Sequence, residues 1–390
     1  MASGAKIKVL GVGGAGMNAV HRMMESGVEG VEFVVLNTDQ QVLDMSSCKK
    51  KIVLGERLTH GLGAGGNPEV GRQAAEDSKE EIEKELMGGE TSEKADMVFI
   101  TAGMGGGTGT GAAPVVADIS RKLGILTVGI VTRPFVWEGG QRAAKAEEGI
   151  KNLKTCVDTL IAIPNSKLSE VCDKKITLKN AFLIADETLK NGVQGISDII
   201  TQPGHINVDF ADVEHIMKDK GSALMGIGIA SGENRAKIAA EAACRSKLLD
   251  ASIENATGVL VNITASEDLE LQETFDAMSV INSAAEANNV NTEVIFGVVY
   301  DNKLKTDDKD EIKITVVATG FDQSSSPFVN PVVGVSKPKS APQPPKAEAA
   351  PKAEPAHTAP ASKPAPQEQK QSYSKPSGNF KVPDFMKDRK

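Results

Sequence analysis

Two kinds of hydrophobic pattern alternate along the first 165 residues. Short apolar runs at Lys6–Val12, Val31–Leu36, Lys51–Leu54, Met97–Ala102, Leu126–Val131 and Thr159–Ile163 predict strands. Stretches of helical pattern separate them, among them Pro68–Met87, whose Glu/Lys-rich face predicts one solvated helix. Strands alternating with helices of this length imply a parallel sheet covered on both faces, an α/β domain.

A longer pattern follows. Ile176–Gln202 carries Phe182, Leu189, Val193, Ile196 and Ile200 on one stripe, which predicts a long helix ended by Pro203-Gly204. Beyond it, strand runs at Ala223–Ala230, Gly258–Thr264, Glu293–Tyr300 and Ile312–Ala318 are interleaved with helical runs at Arg235–Leu249 and Leu271–Ala287. These predict a second, smaller α/β domain joined to the first through the long helix.

The pattern fails near residue 320. Of the 18 prolines, 12 lie between Pro327 and Pro376, and Ser336–Ser372 holds no Val, Ile, Leu, Met, Cys or aromatic residue. Such a stretch buries too little apolar area to offset its ordering entropy, so residues 321–376 are expected to be a disordered linker. Charge divides at the same place: residues 1–320 carry 33 basic and 46 acidic groups, residues 321–390 carry 11 and 6. Apolar residues return in Asn379–Lys390, which reads as a peptide that docks on a partner at the end of a tether. As a flexible coil, a linker of roughly 55 residues spans about 40 Å.

Composition narrows the chemistry. A net charge of -8 and a pI near 5.4 argue against a dedicated nucleic-acid binder, and aromatics at 4% leave few stacking platforms. The four cysteines contain no C-x-x-C pair and the five histidines show no ligand spacing, so neither a disulfide framework nor a protein-built metal site is expected. No 18-residue apolar run and no signal-peptide core is present, which reads as a soluble, cytoplasmic protein without membrane insertion.

Three glycine clusters lie between strands and helices. Gly11-Val12-Gly13-Gly14-Ala15-Gly16-Met17-Asn18 follows the first strand and satisfies G-x-G-x-x-G. Alone this is a weak sign of a dinucleotide site, and the acid expected at the end of the second strand is displaced: that strand ends Leu36-Asn37-Thr38-Asp39. The second cluster, Gly103-Met104-Gly105-Gly106-Gly107-Thr108-Gly109-Thr110-Gly111, places six glycines in nine positions. Packing does not require that density; consecutive backbone N–H donors with two hydroxyls make a cradle for more than one phosphate. Gly61–Pro68 is a third such turn. The chain contains no Gly-Lys pair, which excludes a P-loop, and Asn302-Lys303-Leu304-Lys305 lacks the acid of a Ras-like guanine motif.

Gly105–Gly111 (GGGTGTG), together with Gly11–Asn18 and Asn207-Val208-Asp209-Phe210-Ala211-Asp212-Val213, resembles the tubulin/FtsZ family of GTPases. The resemblance runs from about Ala5 to Gly320 and resumes at Val382–Met386. It implies a tubulin-like fold: a Rossmann-like parallel-sheet GTP-binding domain (5–175), a central helix (176–203), a loop and helix (204–220), a smaller α/β C-terminal domain (221–320), the disordered linker and a partner-binding peptide (377–390). It implies that Gly13, Gly14, Ala15, Gly16 and Met17, with Gly103 and Gly105, Gly106, Gly107, Thr108 and Gly109, hold the phosphates of GTP or GDP, and that Ala64, Gly65 and Gly66 sit near the terminal phosphate. Glu138 and Arg142 match ribose and phosphate contacts. Asn37, Asn165 and Asp186 match polar guanine contacts, with Phe182 stacking on the base. Mg²⁺ is expected to be held mainly through the phosphates.

Read from the residues alone, Asp209 and Asp212 form a helix-capping pair. The resemblance implies instead that they reach the nucleotide of the next subunit and polarise the attacking water, with Asn207 positioning the loop. Hydrolysis would then require a head-to-tail homopolymer. Likewise Phe182 can serve the core stripe alone, Asp186 a solvated helix face, and Asn165 a turn cap. The implied role is bacterial cell division at mid-cell, with residues 379–390 bound to a membrane adaptor. Gln202, His205, Trp137, Gly140-Gln141, Met386 and Asp388 depart from the usual family residues. The rival readings are a nicotinamide-dependent oxidoreductase built on Gly11–Gly16 and a nucleotide-binding polymer without turnover.

Overall fold

A computed structural model describes residues 4–89, 93–171, 177–202, 204, 206–246, 252–286, 292–305 and 310–321. The expected linker and terminal peptide lie outside the described residues from position 322 onward. The strands are β1 (Ile7–Val12), β2 (Val31–Asn37), β3 (Lys50–Val53), β4 (Met97–Gly103), β5 (Leu126–Arg133), β6 (Thr159–Pro164), β7 (Gly221–Ser231), β8 (Gly258–Ala265), β9 (Glu293–Tyr300) and β10 (Glu311–Thr319). The helices are α1 (Gly13–Glu25), α2 (Gln40–Asp44), α3 (Glu56–Thr59), α4 (Pro68–Asp77), α5 (Lys79–Leu86), α6 (Thr108–Lys122), α7 (Gly140–Cys156), α8 (Asn165–Val171), α9 (Leu178–Thr201), α10 (Phe210–Met217), α11 (Arg235–Cys244) and α12 (Leu271–Ala285).

Strands β3-β2-β1-β4-β5-β6 form a wholly parallel sheet in that order. Successive residues of one strand feed opposite cores: along β4, Met97 and Phe99 pack with α1 and α9, while Val98, Ile100 and Ala102 pack with α4 to α7. Burial on both faces explains why these strands read as continuous apolar runs. The chain leaves β1 towards β2 and β3 and returns to β4 on the other side of β1. Such a reversal of winding opens a crevice beyond the C-terminal ends of the two strands, and the first two glycine loops both begin there.

The second half differs in strand direction. β10 runs antiparallel to β7 and β8, whereas β8 and β9 are parallel. β7 also pairs with β6 from Thr159–Gly221 to Ile161–Ala223, so the sheet as well as α9 links the two halves. Hydrophobic period carries no strand direction, which is why the sequence indicated an α/β unit but not this mixed sheet.

Two elements differ from expectation. The helix expected over Pro68–Met87 divides at Ser78, whose backbone (φ -98°, ψ 15°) closes α4 and opens α5. The Ser78 hydroxyl accepts from Gly55 N–H (2.9 Å) and donates to the Val53 carbonyl (3.3 Å), pinning the bend to the end of β3. The bend buries both Ala74 and Ala75 and Ile82 and Leu86 in one core. The long helix begins at Leu178, where the Thr177 hydroxyl accepts from Asn180 N–H (3.2 Å) as an N-cap.

Candidate functional site

Beyond the C-terminal ends of β1, β4 and β5 lies a cleft of about 190 Å³. The first loop lines it with Gly13, Gly14 and Ala15, the second with Gly103, Gly106, Gly107, Thr108 and Gly109. Glu138 and Arg142 come from the start of α7 and the turn before it, Asn165 opens α8, and Phe182 and Asp186 project from the first turns of α9. Val12, Met104, Thr132, Pro134 and Ala185 also line the cleft. These went unread in the sequence, although Thr132 is the next-to-last residue of β5, at the strand ends where ligands bind in such folds.

The glycines divide by what requires them. Gly13 has φ +72°, and a Cβ there would stand 2.9 Å from the Gly109 nitrogen, so the first loop turns tightly against the second. A Cβ on Gly107 would meet Ala64 Cβ at 2.9 Å and Asn67 N at 3.0 Å, which brings the third loop against the second. Gly14 and Gly106 are the opposite case. They line the cleft, yet a Cβ on either meets nothing within 4 Å and neither has a positive φ. No protein contact demands glycine at these two positions; a Cβ would fill cleft space and hold a ligand off the backbone.

The polar groups of the other wall are placed by burial. Asn165 is buried and its Oδ1 has no hydrogen-bond partner, an acceptor left for a ligand N–H. Burial pushes the Asp186 carboxyl up to about 6, opposed by the Arg22 charge. Phe182 is the exception on its stripe: Leu189, Val193 and Ile196 are buried, whereas Phe182 stays 41% exposed, edge-on to Phe135 and Trp137. Glu138 accepts from Phe135 N–H (2.8 Å) through Oε1 and from Arg142 Nε (3.0 Å) through Oε2, so its carboxylate fixes the Val136–Glu138 turn and the base of Arg142.

Other residues singled out from the sequence lie behind or beside this cleft. Gly16 packs against the Thr101 carbonyl, and Met17 is buried with its sulfur accepting from Asn37 Nδ2 (3.2 Å). Asn37 is buried and lies off the cleft wall, its Oδ1 also accepting from Asp39 N–H (3.3 Å). Gly105 (φ +101°) backs onto Arg142, and Ala64, Gly65 and Gly66 flank the second loop, with Lys145 Nζ donating to the Gly66 carbonyl (2.6 Å). Asp39, the displaced acid, caps α2 by accepting from Gln41 and Val42 N–H (3.0 and 3.2 Å). Its carboxylate is thus engaged, which disfavours the nicotinamide rival.

Asn207, Asp209 and Asp212 are nowhere near these groups. They are exposed and follow the C-terminal end of α9, whose Thr201 touches Gly30 at the start of β2, the opposite edge of the sheet. From Asp186 to Thr201 the helix axis alone covers about 22 Å. Asp209 accepts from Asp212 N–H (2.9 Å) as the N-cap of α10, and Asn207 Oδ1 accepts from Gly204 N–H (2.8 Å). Capping is therefore what Asp209 does within its own chain.

A larger hollow, about 570 Å³, lies between α4, α6 and α7. Several of its charged residues are paired with neighbours on their own helices, Arg72 with Glu69 and Glu76 and Asp118 with Lys122. Chemistry rather than size marks the smaller cleft as the site.

Comparison with known proteins identifies the family. The model of the Tubulin/FtsZ family GTPase domain matches residues 6–173, and that of the FtsZ family C-terminal domain matches residues 221–322. An empty FtsZ dimer from M. jannaschii is 46% identical, with a TM-score of 0.75 over 82% of this chain and 89% of that one. A tryptophan-to-tyrosine mutant of the same FtsZ gives the same identity and TM-score over 82% of this chain and 92% of its own length. CetZ2 from Haloferax volcanii, 20% identical, shares the fold (TM-score 0.67, covering 82% of this chain and 94% of that one). With a glycine-lined cleft at the switch point of a tubulin-like sheet, and matches to both domains, the chain belongs to the FtsZ branch of the tubulin/FtsZ family of GTPases.

Proposed function

We propose that this chain binds GTP and GDP in the cleft, assembles head to tail into protofilaments, and hydrolyses GTP only where two copies meet. The observation that carries this reading is the separation of the two halves of the chemistry. Backbone donors and the open Asn165 acceptor lie at one end of α9, and the exposed carboxylates of Asp209 and Asp212 lie at the other. Binding and hydrolysis groups that cannot meet within one chain meet between two. A contact between unlike faces does not close on itself and propagates as a filament.

In the proposed mechanism the first two glycine loops bind phosphates through N–H groups, and the N-terminus of α6 adds its positive end. Asp186, ionised, accepts from guanine N1–H and the exocyclic amine, a donor pair that adenine lacks. Asn165 Oδ1 gains the donor it is missing. From the adjoining copy, Asp209 and Asp212 orient and polarise water for in-line attack, while Asn207 holds their loop. Among the described residues no cluster of three His, Cys, Asp or Glu could hold a metal, and the cradle is built of N–H groups and hydroxyls. This donor set fits Mg²⁺ carried on the nucleotide's phosphates, where it would neutralise charge. Residues 379–390 are proposed to bind a membrane adaptor, which would bring filaments to the division site.

The test is GTP turnover per chain, with Mg²⁺, across protein concentration. The expected result is negligible activity when dilute and a rise above a threshold. Specific activity that stays constant on dilution would place hydrolysis within one chain and overturn the shared site. Absence of turnover at every concentration would leave a nucleotide-binding polymer.

A further inference from the structure

Thr38, fully buried where β2 ends, belongs to none of the contacts described above, yet it joins two of the glycine loops. Its hydroxyl lies 2.7 Å from the hydroxyl of Thr108, the central residue of the second loop, which lines the cleft. Its carbonyl accepts from Gly63 N–H of the third loop (3.0 Å) and from the Thr59 hydroxyl (3.3 Å). Side chain and backbone thus reach in different directions from one rigid position.

The chemistry of the hydroxyl pair gives it a direction when an anion is present. In a pair of hydroxyls one donates and the other accepts. An ionised phosphate only accepts, so Thr108 must turn its single proton towards the ligand. The Thr108 oxygen is then free to accept, and the Thr38 O–H at 2.7 Å is placed to donate to it. A hydroxyl that accepts one hydrogen bond donates a stronger one, and a buried donor costs no reorganisation when the ligand arrives.

We propose that Thr38 is a positioning residue of the phosphate site. It donates to Thr108 and so aims the Thr108 proton at the nucleotide's phosphates. This rests on the nucleotide reading above.

The test is a double-mutant cycle read by GTP and GDP dissociation constants on the full chain, below the assembly threshold. Thr38→Val keeps the side-chain shape and leaves the carbonyl bonds to Gly63 and Thr59 intact. Loss of the donor should weaken both nucleotides by about tenfold, in line with one hydrogen bond acting on a charged ligand, and Thr38→Ser should restore wild-type affinity. In a Thr108→Ala background, where no hydroxyl remains to aim, Thr38→Val should change affinity by less than about twofold. Wild-type affinity in Thr38→Val overturns the proposal, and so does a tenfold loss that persists without the Thr108 hydroxyl. If Thr38→Val lowers the melting temperature, the cycle still decides, because a folding cost enters both backgrounds alike. Failure of the wild type to bind either nucleotide would overturn the nucleotide reading itself, a separate and recognisable result.

Discussion

The two ends of α9 carry acidic residues in opposite circumstances. At the cleft end Asp186 is half-buried, and its carboxyl is pushed up to about 6 by desolvation. At the other end Asp209 and Asp212 are exposed, and Asp209 caps a helix. The cleft end carries one buried acceptor unpaired, and the far end carries exposed acids. In the proposed function the first acid reads a base from a fixed, half-dry position, and the others act on another molecule's phosphate and so stay exposed until that molecule arrives.

The sharpest way to break the comparison is to disable each end separately. Asp212→Asn should lower GTP turnover by about a hundredfold or more while GTP affinity is retained. Gly106→Val should lose GTP binding by a similar factor without a lower melting temperature, since the added Cβ meets no protein atom within 4 Å. Mixed together, the two inactive variants should regain turnover at junctions that pair an intact cleft with intact acids. Mixtures that stay inactive would count against a site shared between copies.

A glycine of the other class gives the next largest effect. Gly13→Ala should destabilise the fold by about 1–3 kcal/mol, because a Cβ at φ +72° is strained and presses on Gly109. Thermal unfolding of Gly13→Ala and Gly106→Val, measured side by side, separates glycines required by folding from those required by the ligand.

The Asp186 end responds to pH. In the proposed function Asp186 accepts from guanine as an ionised carboxylate, so GTP affinity should fall as pH drops below about 6, by up to about tenfold per unit. Stability of the free chain runs the other way through this group. A carboxyl whose folded pKa lies above its ordinary value of 3.8 favours folding when protonated, and that contribution is lost as pH rises through about 6. Asp186→Asn should therefore raise the melting temperature at pH 7.5, with the gain shrinking towards pH 4. The smallest effect expected is at Lys145. Removing its hydrogen bond to the Gly66 carbonyl with Lys145→Met should speed nucleotide release by about threefold or less, as suits one partly exposed bond.

Much of this molecule is legible in the chain. The apolar runs place all six strands of the parallel sheet because both of its faces are covered. The glycine density of the second loop, expected to exceed what packing requires, is in fact largely a packing requirement: a Cβ on Gly103, Gly105, Gly107, Gly109 or Gly111 would meet protein atoms at 2.9 Å or less, and only Gly106 is open. Less legible were features whose cause is remote in sequence. The bend at Ser78 depends on bonds to Val53 and Gly55, and the mixed directions of β7 to β10 leave no trace in hydrophobic period. Asn37 shows the same for a side chain at the end of β2: its contacts to Met17 and to Asp39 N–H are set by the fold and have no local signal.

The sequence by itself determined the element types, the three phosphate-suited loops and the family, since these rest on local pattern and on residues that only a few conformations tolerate. Only the tertiary structure decided which glycines face open cleft and which face protein, which buried acceptor lacks a partner, and that the Thr38 hydroxyl lies against that of Thr108. The physical reason is that backbone preference is a property of a few adjacent residues. Exposure, desolvation and an unmade hydrogen bond are properties of whatever the fold brings alongside.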